Sequence, residues 1–169
     1  PALPPEVVAQ LVERAKNAAI VAEQQRKAEE AKTLKPVATI RVGRNPTFIR
    51  MQFDWNVDTK TKFDLKPGEG ALTFDWPVPV DLYELKADLP KQIKSAANAV
   101  TPAGSRVTLQ LAEGVVPRFY ELSPRNFVVD IDIAPEDGLK QALAAEEAAR
   151  KKAKEAAEAA ATADHGHAD

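Results

Sequence analysis

The chain has 169 residues, a formal net charge of −2 and no cysteine. That length allows one ordinary domain with extensions. The near-balanced charge and scattered basic residues argue against generic nucleic-acid binding, and the lack of cysteine excludes disulfide frameworks, Cys-based metal sites and thiol catalysis.

Pro4-Pro5-Glu6 opens a helix, since a proline in the first turn gives up an N–H that has no intrahelical partner. Val8, Leu11, Val12, Ala15, Ala19 and Ala22 follow at helical spacing, and Val7 and Ile20 widen the stripe. Beyond Val21 the text turns polar, so only the first half of the helix carries an apolar face; Pro36 ends it and biases Lys35 towards extended backbone. A stripe this narrow suits a groove or a neighbouring helix. The competing reading folds the helix back over one sheet.

The large apolar residues concentrate between Val37 and Ile133, a span of roughly 100 residues that can bury its own core. VATIRVG alternates as a strand, Gly43-Arg44-Asn45-Pro46 turns, and FIRMQFDWN is the strongest strand signal in the chain. Thr61–Leu65 and Ala71–Trp76 follow as strands around Pro67-Gly68-Glu69-Gly70. Pro77 and Pro79 break the ladder, Asp81–Pro90 reads as a short helical crossover, and Ile93–Val100 is a weaker strand. The expected core is Ile40, Val42, Met51, Phe53, Trp55, Phe63, Leu72, Phe74, Val107, Leu109, Leu111, Phe119, Phe127, Val129 and Ile131.

The segment Ile49–Trp76 has a near-repeat in Ser105–Ile133. Each unit starts with an alternating strand, passes a short aromatic segment around Phe63 or Phe119, and turns through a proline into a second strand carrying Asp. Two copies of a small meander predict a mainly β, two-sheet, pseudo-symmetric sandwich at 36–134, with a helix at 1–35. After Pro135 an Ala/Glu/Lys-rich helix runs on, with Leu139 and Leu143 its only large apolar residues and i,i+4 pairs such as Glu146/Arg150. It reads as a spacer, and 162–169 as a disordered tail.

The span Val37–Ile133 resembles the AMIN domain of bacterial cell-envelope proteins. The likeness rests on VGRNPTFIRMQFDW, on SRVTLQLAEGVVPRFYELSPRNFVVDIDI, and on the rhythm of Arg125-Asn126-Phe127-Val128-Val129-Asp130-Ile131. The resemblance implies a small sandwich of two symmetric sheets in the periplasm. In relatives such a domain positions amidases, secretin pilots or other envelope machinery by binding peptidoglycan or partner proteins. The Asp81–Pro90 crossover and the Ala/Glu/Lys helices depart from the bare domain and shift the weight from wall targeting to protein scaffolding.

Candidate chemistry is sparse. His165 and His167 with Asp164 and Asp169 could hold a transition metal, or simply form a solvated end. Asp54, Asp75, Asp130 and Asp132 could pair as acid/base carboxylates, but strand alternation accounts for them. The only histidines lie in the tail, so no Ser/His/Asp set assembles, and Gly68-Glu69-Gly70 lacks the lysine and helix of a phosphate loop. Trp76 and Tyr120, near strand ends, are either exposed platforms for a glycan or partner loop, or core and rim packing. Arg41, Arg44, Arg50, Arg106 and Arg118 could form a patch for peptidoglycan carboxylates, or be an ordinary charged sheet face.

The sequence therefore predicts a non-enzymatic periplasmic module, without cofactor or metal, that anchors or assembles a multi-subunit envelope complex. Its partner-binding residues would be Val8, Leu11, Val12, Arg41, Arg44, Arg50, Trp76, Arg118 and Tyr120. A peptidoglycan-binding targeting module is the alternative. No run of about 18 apolar residues exists to span a membrane. The first residue, Pro1, implies processing or excision of an upstream segment.

Overall fold

In FIRMQFDW every second side chain is large and apolar, and a strand puts alternate side chains on one face. A computed structural model, which describes residues 2–166, places that text as a central strand with Ile49, Met51, Phe53 and Trp55 all buried. Helix and strand each take 37% of the chain, so the fold is mixed rather than mainly β. The two long helices flank a β module and account for the difference.

The chain order is α1 (Pro5–Leu34), β1 (Ala38–Arg44), β2 (Phe48–Trp55), β3 (Thr61–Lys66), β4 (Glu69–Phe74), β5 (Val80–Asp81), α2 (Tyr83–Lys86), β6 (Ile93–Thr101), β7 (Gly104–Leu111), β8 (Arg118–Ser123), β9 (Asn126–Asp132) and α3 (Pro135–Gly166). One sheet has the order β5-β1-β2-β9-β8 and the other β3-β4-β7-β6. All neighbours are antiparallel except β1 and β5, which run parallel over Ala38↔Val80 and Thr39↔Asp81.

These orders explain the sequence repeat. Exchange β1 with β6, β2 with β7, β3 with β8 and β4 with β9, and β1-β2-β9-β8 becomes β6-β7-β4-β3. Each unit places its first strand in one sheet and its following hairpin in the other. The two units are thus interlocked, and neither half can bury its core without the other. The equivalent rings Phe63 and Phe119 stack on each other, with centroids 5.0 Å apart. Gly70 lies beneath that stack, where a Cβ would come within 3.1 Å of the Phe119 ring.

The core sits between the sheets. Phe74 of one sheet meets Phe53, Trp55 and Phe127 of the other at 5.7, 5.1 and 5.7 Å between centroids, in tilted geometries that suit aromatic pairs. Of the expected core, Val42, Phe63 and Phe119 are only partly buried and pack against it; the rest are buried. The segment after β4 contributes more than its prolines suggest. Trp76, Val80, Leu82 and Leu85 are all buried, so Val80–Lys86 plugs the side where β1 and β6 face each other.

The flanks behave differently. No residue of α1 is buried, so the helix covers neither sheet. It ends on Lys35, whose backbone is left-handed (φ 50°, ψ 63°) rather than extended, with its N–H bonded to the Ala31 carbonyl as an αL cap. Leu139 and Leu143 of α3 are more than half exposed. This helix takes in 162–166, which the sequence reading put in a disordered tail; 167–169 lie outside the described residues.

Candidate functional site

The outer face of the five-stranded sheet carries a network of arginines and aspartates. Register explains the central pair: β2 and β9 are antiparallel with Arg50 directly opposite Asp130. Arg50 donates two hydrogen bonds to the Asp130 carboxylate, both 2.9 Å, in the fork geometry that makes such pairs strong. The Tyr120 hydroxyl donates to the same carboxylate at 2.8 Å. Asp130 is only 4% exposed. Burial pushes its pKa up, but the bonds from Arg50 and Tyr120 outweigh that and hold it below the ordinary carboxylate value. The Tyr120 phenol is pushed up, first by burial and then by the adjacent Asp130 charge. A smaller copy of this arrangement surrounds Asp54, which accepts from Gln52, Arg41 and Asn126 at 2.8, 2.5 and 2.6 Å. Burial again opposes those bonds, and they prevail.

The pairing extends to every arginine of the β module. Arg41 meets Asp54, Arg44 meets Asp88, Arg50 meets Asp130, Arg106 meets Asp64, Arg118 meets Asp132 and Arg125 meets Asp58, at 2.5–3.3 Å. Each arginine of the expected basic patch thus has an internal carboxylate that offsets its charge, which weakens the patch as a site for peptidoglycan carboxylates. Tyr120 is half-buried and committed to Asp130 rather than presented as a platform. Trp76 is 2% exposed, and its indole N–H donates to the Asp58 carbonyl at 3.0 Å, so it is core and not a docking surface.

Trp76 instead anchors α1. The Lys27 ammonium lies 3.7 Å from the centre of the indole ring and 3.1 Å from the Asp75 carboxylate. Ala31, one turn on, packs against the core. The polar half of the helix, which carries no apolar periodicity, is thus the half that touches the sandwich. A lysine can do this because its aliphatic stem packs while its charge sits over the ring. The apolar half points away. Val8, Leu11 and Val12 are 44%, 48% and 48% exposed, and Leu3, Val7, Ile20 and Val21 extend the same unburied surface.

One apolar groove, about 660 Å³, lies between the β3–β4 turn and 111–116; its walls include Leu65, Pro67, Leu111, Val115 and Val116, with Glu113 as its single carboxylate. Another, of about 430 Å³, contains Asp132 and Asp137, which are tied to Arg118 and Lys91. Among the described residues, no three His, Asp or Glu side chains gather into a metal site. The expected metal set of His165 and His167 with Asp164 and Asp169 lies outside the residues whose side chains are described. No helix among the described residues is long and apolar enough to cross a membrane.

Comparison with protein-family models and with the curated proteins gives no match for this chain.

Proposed function

We propose that the chain is a non-catalytic assembly module of a cell-envelope complex, built on an AMIN-like sandwich and working in the periplasm. The observation that carries this reading is the division of labour along α1. Its root is fixed to the sandwich through Lys27, Trp76, Asp75 and Ala31, while its apolar stripe of Val8, Leu11 and Val12 stays about half exposed. Helices that lay an apolar stripe into a partner's groove read this way. The AMIN likeness of Val37–Ile133 supports the periplasmic setting.

A peptidoglycan-targeting role is the second reading, and it draws on the same likeness. The paired arginines weigh against it. The two part on a simple experiment. A photo-reactive residue at Leu11 should cross-link the chain to a protein in intact cells, and purified sacculi should retain the chain no better than a control protein. Salt-sensitive retention on sacculi, with no cross-link from position 11, would favour wall targeting instead.

A further inference from the structure

The pseudo-symmetry of the sandwich is broken at one place, and the break leaves the backbone of one edge strand unpaired: Val80–Lys86 packs on that side, but the Val80 N–H bonds the side chain of Asn98 and not the strand's backbone. In the first half, the chain leaving β4 runs through Pro77 and Pro79 into β5, which pairs with the outer edge of β1. In the second half, the chain leaving β9 reaches Pro135 and turns into α3. The strand that would cap β6, the counterpart of β1, is therefore missing.

The sandwich's other edges carry the features that keep strands from pairing with other chains. β5 is two residues long. β3 bears Lys62, Asp64 and Lys66, and β8 bears Arg118 and Glu121 with a register shift after Glu121. β6 is nine residues long; it too has a charge and a register shift at its start, at Lys94 between Ile93 and Ser95, but from Ser95 to Thr101 it reads Ser-Ala-Ala-Asn-Ala-Val-Thr, with no charge, no shift and no proline.

The ladder shows which groups of β6 are free. Leu111 N–H bonds the Gly68 carbonyl on the β4 side, so Gln110, Thr108 and Arg106 turn towards β6. They pair with Ser95, Ala97 and Ala99. Ala96, Asn98 and Val100 consequently aim their N–H and C=O groups outward, and among the described residues no backbone bond from another segment reaches them. The side chains of Ser95, Ala97 and Ala99 are exposed on the outer face.

We infer that β6 is the pairing edge for a second copy of this chain, joined antiparallel about a two-fold axis at Asn98. The segment suits its own copy. A two-fold pair sets Ala96 opposite Val100 and Ala97 opposite Ala99, so every facing pair around the axis is small and uncharged, and Lys94 falls at opposite ends of the interface. The two four-stranded sheets would become one continuous eight-stranded sheet, an isologous contact that closes after two copies.

The test is the oligomeric state of the full chain by light scattering or sedimentation across a concentration series. The wild type should dimerise. Val100→Pro removes an N–H that β7 does not use, so it should leave the melt unchanged and weaken the dimer by about tenfold or more. The pair Ala97→Lys with Ala99→Lys should also give monomers, as should Ala97→Glu with Ala99→Glu. Mixing those two variants should restore a heterodimer, which only a two-fold β6 contact predicts. A wild-type chain that stays monomeric at its highest soluble concentration overturns the inference. So does an oligomer that survives Val100→Pro but is lost in Leu11→Glu/Val12→Glu, because that contact runs through α1.

Discussion

The sandwich and the first helix of this chain use apolar residues in opposite ways. The sandwich buries them: Phe53, Phe74, Phe127, Met51 and Leu109 are at most 1% exposed, and each sheet closes over the other. The helix α1 spends Val8, Leu11 and Val12 on solvent and holds to the sandwich through a lysine. The difference teaches that amphipathicity alone does not tell where an element docks. A sheet strand must bury its apolar face to exist, whereas a long helix satisfies its own backbone and can leave a stripe free.

The comparison is broken most severely in the core. Phe74→Ala removes the ring that joins Phe53, Trp55 and Phe127, and should cost about 3–5 kcal/mol in a denaturant melt. A loss well under that would mean the two sheets are not held through this cluster.

Next in size is the charge network. Asp130→Asn leaves Arg50 without its carboxylate beside a buried site and should cost about 1–3 kcal/mol at neutral pH. The sign with pH follows from the depressed folded-state pKa values of Asp130 and Asp54. Their contribution is complete above the unfolded carboxylate pKa of about 3.9 and is lost as pH falls through the lower folded values. The wild type should therefore lose stability below about pH 4 more steeply than Asp130→Asn, which acid titration of the melting temperature would show. Parallel curves would mean that Asp130 does not titrate as the geometry requires.

Smaller again is the root of α1. Lys27→Met deletes the cation over Trp76 and the pair with Asp75, worth about 0.5–2 kcal/mol at a site where the lysine side chain is only 15% exposed. Hydrogen exchange should speed up in 24–34 while the strands keep their protection. Slower exchange, or no change, would place the anchor elsewhere.

Much of this was legible in the text. The alternation of FIRMQFDW and the near-repeat of Ile49–Trp76 in Ser105–Ile133 carried the two-sheet architecture, because strand periodicity is local and each unit repeats it. What escaped was non-local. Trp76, Val80, Leu82 and Leu85 sit among prolines and a one-turn helix, with no period to mark their burial. The pairing of Arg50 with Asp130 depends on a register between segments 80 residues apart. Lys27 looked like part of a solvated face because its contact uses a charge and an alkyl stem. Pro36 suggested an extended Lys35, yet the helix cap took that residue into the left-handed region instead.

The central claim, that the stripe on α1 serves assembly while the sandwich stands without it, is tested most directly by the double change Leu11→Glu and Val12→Glu. Both side chains are already about half exposed, so the melting temperature of the isolated chain should not move, while co-purification of its envelope partners should be lost. A variant that melts lower by several kcal/mol, at about 1.5–3 for each side chain removed from a buried site, yet still assembles would contradict the account.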